Sequence, residues 1–454
     1  EYRKESLDFL PDRPSLEGDL AGSGGPSTPV SGSFDVKELF GEVRIPIIQD
    51  SFIEEFLINA GYRYSDYSTG VNTDTYKIEA ELAPTRDIRI RGGYNRAVRA
   101  PNVVELFSPQ SVQLVGTTDP CDGIIGGDPQ DDPTLSAAQC ALTGLDPALY
   151  GTVPENPAGQ NNGLVGGNPN LDPEVADTYT VGVVLTPTFL PGFAATVDWF
   201  DITLDGAIST LNPDVTLEQC GLTGDPLFCD LINRDARGSV WLTQQGFVEA
   251  TNQNIGGLST TGIDFNVSYG TEIGSMGSLS ASIVGTWLDE LITDDAVTTP
   301  YNCVGFYGNV CGTPNPEYRH KARVTWTTPN DIGLSVQWRH FGSVRQDTTS
   351  SQPTLNNPDN VQPAHDKLRA MNYIDLAATF RVLDNYNFRL GVNNVFDSQP
   401  PLAGSQACPA VVCANTYAQV YDVAGRYIYA GGTLDFKVAA QRRKLGGGPL
   451  GARH

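Results

Sequence analysis

Hydrophobic and polar side chains alternate one by one through much of this chain. In 373–382, Ile374, Leu376, Ala378, Phe380 and Val382 share one side, and Tyr373, Asp375, Ala377, Thr379 and Arg381 the other. In 386–393, Tyr386, Phe388, Leu390 and Val392 face away from Asn387, Arg389, Gly391 and Asn393. In 332–339, Ile332, Leu334, Val336 and Trp338 oppose Gly333, Ser335, Gln337 and Arg339. Residues 318–326 set Ala322, Val324 and Trp326 against Arg319, Lys321, Arg323 and Thr325, and 88–95 set Ile88, Ile90 and Tyr94 against Arg89, Arg91 and Asn95. A period of two marks strands with one dry and one wet face. Further strands are expected at 35–47, 52–68, 71–84, 177–187, 193–208, 258–270, 278–292 and 425–438, with a weaker one at 240–252, about fourteen in all.

A soluble sandwich gives the same alternation with its polar face outward. Strand length argues for a membrane, because many segments approach the length of about 10 residues that a tilted strand needs to cross a bilayer. Aromatics gather at strand ends, as at Tyr62, Tyr64 and Tyr67 or Tyr427 and Tyr429, where an interfacial girdle would lie. Connections also alternate. Short turns at 84–87, 329–331 and 383–385 contrast with long connections at 101–176, 209–239, 293–316, 344–372 and 397–424, which is the outer-membrane pattern. The longest, 101–176, exceeds an ordinary connection and reads as a binding or lid loop with helical turns near 134–146. No apolar run approaches the roughly 20 residues of a membrane helix. The expected fold is therefore all-β, a transmembrane antiparallel β-barrel. It would comprise a loop or partly ordered lead-in over 1–34, barrel strands over 35–438 and a disordered tail over 439–454.

High glycine and proline content, 48 and 31 residues, suits many turns. The net charge of −24 argues against nucleic acid. Eight cysteines fall as four close pairs inside the long connections: Cys121 and Cys140, Cys220 and Cys229, Cys303 and Cys311, Cys408 and Cys413. Even, local pairing without CxxC or flanking histidine predicts four disulfides and an oxidising environment for that side.

Asn95–Phe107, reading NRAVRAPNVVELF, resembles the "RAPN…ELF" signature of TonB-dependent outer-membrane receptors. Asn168–Glu174 with Asp177–Gly182 resembles their "NPNLKPE…SYELG" segment, Asp198–Ile202 their "YF-I" strand, Gly391–Asp397 their "NLFD", and Gly425–Tyr427 their "GR-Y". The ordered set implies the C-terminal part of a barrel of about 22 strands closed by an N-terminal plug. The plug and first strands are not in this sequence, which places them on a separate chain or a removed segment. Phe436 fits the aromatic end of the last strand, and Lys437–His454, with Arg442, Arg443, Lys444 and a glycine run, follows it. The resemblance implies a bacterial outer-membrane receptor that captures a scarce nutrient, a ferric siderophore or oligosaccharide foremost. Import would draw energy from an inner-membrane coupling protein. A structural or adhesive barrel without transport is the alternative. Haem receptors of the family carry a histidine between the two motifs; here none lies between Pro101 and Asn168, and Tyr150 is the remaining candidate.

No GxSxG, HExxH or P-loop occurs, so no enzyme, cofactor or resident metal is expected. His320 and His340 read as girdle or lumen residues, beside His365 and His454. Asp119, Asp122, Asp128, Asp131 and Asp132 form an acidic loop cluster that fits a solvated loop better than a calcium site. Arg89, Arg91, Arg96 and Arg99 form a basic stripe, for which pairing with lumen carboxylates or the plug is favoured over anion capture. Candidate ligand-binding residues are Arg96, Arg99, Trp241, Tyr301 and Phe306, the aromatics as stacking surfaces.

Overall fold

The computed structural model describes residues 1–19, 26–115, 119–124, 132–358, 361, 363, 366–382, 385–404 and 415–434. One antiparallel sheet dominates. Its strands are β1 (Tyr2–Phe9), β2 (Val30–Gln49), β3 (Glu55–Tyr67), β4 (Asn72–Thr85), β5 (Ile88–Arg99), β6 (Glu174–Leu185), β7 (Phe193–Asp205), β8 (Gly257–Glu272), β9 (Ser278–Asp294), β10 (Tyr318–Thr327), β11 (Gly333–Phe341), β12 (Met371–Val382), β13 (Tyr386–Asn393) and β14 (Tyr427–Leu434). Each pairs with its neighbours in sequence, so the sheet is a meander with β1 and β14 as its described edges; Tyr301–Asn302 adds a short pairing on β9.

Two expectations change. Tyr2–Phe9 is a strand and not a loop, paired residue for residue with Val30–Lys37. Its sequence, YRKESLDF, shows little alternation because few of its side chains are apolar. Conversely, 240–252 does not enter the sheet; only Phe247–Glu249 is extended, in a small loop sheet. Its backbone acceptors are taken by another loop: Asn162 Nδ2 donates to the carbonyls of Trp241, Thr243 and Gly246. Both changes matter to sidedness. With β1 in and 240–252 out, every long connection emerges at one end of the sheet, and the turns at 50–54, 86–87, 186–192, 273–277 and 328–332 lie at the other.

The register separates two faces. One carries Ile90, Val181, Val197, Val267, Ile283, Val324, Val336, Leu376, Leu390 and Ile428. Many of these are solvent-exposed in the isolated chain, Val336 at 47% and Leu390 at 48%. An apolar band of this size requires lipid against it. Toward the loop end it turns aromatic: Tyr62, Tyr76, Tyr94, Tyr179, Trp287, Tyr318 and Trp338. His320 and His340 belong to this girdle, stacked with ring centroids 5.2 Å apart, His320 edge-on to Trp338. The opposite, polar face is the interior.

Candidate functional site

The interior face of β2–β7 is a ladder of ion pairs. Arg63 holds Glu38, Arg89 bridges Glu55 and Glu81, and Arg91 grips Asp198 through Nε and Nη2 at 2.8 and 2.7 Å. Arg99 donates to Glu174 at 2.5 and 2.7 Å and to Glu105. The expected single stripe is split, because strand parity sends Arg96 to the other face: it pairs across β6 with Asp177, which also accepts from the Tyr94 hydroxyl, and lies over the Tyr76 ring. Arg96 is thus a girdle residue.

The first motif is a structural staple. Asn102 caps the helix Val103–Phe107, and the Glu105 carboxylate accepts from the Asn102 backbone N–H, a capping box. Glu105 also binds Arg99, so strand end and helix are locked together. Val103 and Leu106 bury against Phe34 and Leu171, and Phe107 lies over Gly32, where a Cβ would stand 2.5 Å from its ring. Asn168 and Asn252 tie the base of the next loops to the same helix.

Above the staple, 100–173 and 206–256 interlock. Their short strands share one sheet, Ile232–Asn233, Phe247–Glu249, Asn161–Val165 and Ser111–Val115. The expected helical turns appear as Ala137–Leu142. Disulfides Cys121–Cys140 and Cys220–Cys229 fasten these loops, and Cys303–Cys311 fastens the next. The pair Cys408 and Cys413 lies outside the described residues. Arg234 and Asp119 form a fully buried ion pair between the two loops, 2.6 Å apart with side chains 3% and 1% exposed, and Thr143 and Gly238 satisfy the remaining guanidinium hydrogens. Asp119 is therefore a fastener, not a free ligand. Burial, then the nearby Asp119 and Glu155 carboxylates, push Asp122 up to about 7. Asp132 is exposed, and Asp128 and Asp131 lie outside the described residues.

The aromatic candidates are committed to this architecture. Trp241 donates its indole N–H to the Pro154 carbonyl at 3.0 Å. Tyr301 is buried with Cys303 and Leu355. Phe306 sits in a two-residue strand beside Arg345. The Tyr150 hydroxyl donates to the Leu135 carbonyl. None of the five candidate ligand residues is brought together with another in one cavity.

A different cavity stands at the loop end of the interior face. It measures about 520 Å³ and is lined by Arg319, Lys321, Arg339, Phe341 and Tyr373 from β10–β12, closed by Thr313–Asn315 and Gln419–Val420 from two loops. Arg339 is engaged: it binds Asp375 at 2.7 Å and Asp422 at 2.5 Å and lies over the Tyr373 ring. Loop tyrosines pack behind it, Tyr307, Tyr417 and Tyr421 with Tyr373 and Met371; burial raises the hydroxyl pKa of all three, Tyr417 to about 12. Arg319 and Lys321 make no ion pair among the described residues. Their alternation with Ala322 was legible in the sequence; their lack of carboxylate partners was not.

A family model for the β-barrel of TonB-dependent-receptor-like proteins matches residues 2–395. The chain belongs to the TonB-dependent receptor β-barrel family. Its fold resembles the ferric enterobactin receptor PfeA of Pseudomonas aeruginosa, solved as a point mutant with enterobactin, at 15% identity and a TM-score of 0.60 over 96% of this chain and 51% of that one. The siderophore receptor PirA of Acinetobacter baumannii gives 13% identity and a TM-score of 0.57 over 96% and 54%. PirA of Pseudomonas aeruginosa gives 14% and 0.50 over 96% and 52%. The chain thus spans about half the length of these TonB-dependent relatives. No curated protein matches it by sequence.

Proposed function

We propose that this chain forms the wall and mouth of an outer-membrane receptor that captures an anionic nutrient complex, a ferric siderophore ahead of an oligosaccharide. The observation that carries the reading is the pair Arg319 and Lys321, which make no ion pair among the described residues, in a cavity closed by two loops on a chain of net charge −24. Leaving two cations unneutralised there favours an anionic guest, and the low-dielectric walls strengthen that attraction. Phe341, partly exposed at the cavity wall, adds ring surface that suits a catecholate. The structural neighbours named as siderophore receptors support the same class. Passage inward would need a plug and an inner-membrane coupling protein, as in the family.

The test is radioiron uptake by iron-starved cells producing the full-length receptor, with a panel of catecholate, hydroxamate and carboxylate siderophores. Uptake of one class that disappears when the receptor gene is deleted supports the reading. Equal uptake with and without the receptor across the panel contradicts it.

A further inference from the structure

The wall that carries the mouth cavity has a second one at its opposite end. This cavity, about 400 Å³, lies beside the short turns and is lined by Thr327, Asp331, Thr379, Arg381, Asn387, Arg389 and Thr433. Arg381 and Arg389 both point to the interior by register, on β12 and β13. Arg381 donates to the Asn387 amide oxygen. Neither arginine makes an ion pair among the described residues, although Asp331 borders the same cavity. Gly431 on β14 leaves room for Arg389: a Cβ there would stand 2.7 Å from its Nε.

The contrast with β2–β7 gives this meaning. There Arg63, Arg89, Arg91 and Arg99 each hold a carboxylate, and Arg44 alone of the interior arginines does not. On β10–β13 only Arg339 is neutralised, while Arg319, Lys321, Arg323, Arg381 and Arg389 are not. Between the two cavities the wall presents Arg323 and Gln337, then Thr325, Ser335 and Ala377, with the Tyr429 ring over Gly391. An anion leaving the mouth therefore meets no carboxylate on this wall below Asp375 until it reaches Arg389 and Arg381.

We propose that Arg381 and Arg389 form a second oxyanion subsite, for a carboxylate- or catecholate-bearing solute, at the short-turn end of the wall that begins at Arg319 and Lys321. The proposal rests on the anionic reading of the mouth. It places the path of the solute along β10–β13 rather than along the self-neutralised wall of β2–β7.

The test is phenylglyoxal modification of the full-length receptor in detergent, resolved by peptide mass spectrometry, with and without millimolar inorganic pyrophosphate as a compact oxyanion. Arg381, Arg389 and Arg319 are expected to react about five-fold more slowly with pyrophosphate, as a charge-assisted contact would impose, while Arg91, already held by Asp198, stays unchanged. Arg389→Gln should abolish the protection of Arg381. Protection of Arg319 alone would overturn the second subsite and leave the mouth reading standing. Protection of Arg381 and Arg389 without Arg319 would sustain the subsite and sink the mouth reading. Slow modification of Arg381 and Arg389 in both conditions would overturn the proposal in favour of an acidic polypeptide packed on this wall.

Discussion

Arg339 on β11 holds Asp422 of the last long loop at 2.5 and 2.9 Å, so the roof of the mouth cavity is pinned to its wall. Asp422→Asn removes the charge but leaves Asp375 to keep Arg339 in place. The variant should loosen residues 415–426 by about 1 kcal/mol, the value of one charge-assisted contact in a half-exposed setting. Hydrogen exchange of that loop should accelerate while β11 and β12 stay protected.

The assignment of faces makes a sharp comparison between neighbours. Val336 points to the apolar band and Ser335 to the interior. Val336→Arg should destabilise the barrel by about 2–4 kcal/mol if this position lies near mid-membrane. Ser335→Arg should cost far less. Urea midpoints followed by heat-modifiable gel mobility would read both.

Much of the barrel was legible because alternation survives at every central strand. Ile374, Leu376 and Ala378 against Tyr373, Asp375 and Ala377 define both strand and face without further information. The edge strand Tyr2–Phe9 was not, since polar residues occupy both of its sides. Residues 240–252 misled for the opposite reason: their local pattern is strand-like, but Asn162 and Pro154 of a distant loop claim their polar groups. The RAPN motif pointed to the family, and its side chains cap and staple a helix. The mouth cavity could not be read at all, because it depends on which arginines lack carboxylates across 70 or more residues of intervening loop, as the Arg99–Glu174 separation of 75 illustrates.

Asp122 gives the interlocked loops a pH dependence. Its carboxyl is raised to about 7, first by burial and then by Asp119 and Glu155. Below the ordinary aspartate range both states are protonated and the group costs the fold nothing; above it the unfolded chain ionises first, so stability falls as pH rises until the folded carboxyl ionises at about 7. Opening of residues 132–153, measured by hydrogen exchange corrected for the intrinsic pH effect, should become easier between about pH 4 and 7. Asp122→Asn should flatten that profile and slow opening at neutral pH.

Reduction of the disulfides should act on the loops alone. Cys121–Cys140 closes a separation of 19 residues, for which chain entropy gives about 3 kcal/mol. Dithiothreitol, or Cys121→Ser with Cys140→Ser, should expose 100–173 to protease. The strands should remain folded by heat-modifiable mobility. Parallel loss of barrel and loops would show that the two fold as one unit.

The most direct test of the central claim is equilibrium binding of ferric siderophores to the purified full-length receptor, comparing wild type with the Arg319→Gln, Lys321→Gln double variant. The account predicts saturable binding of one siderophore class and a weakening of about ten-fold or more in the double variant, with the folded barrel intact. Unchanged affinity in that variant, for a siderophore the wild type binds, would contradict it.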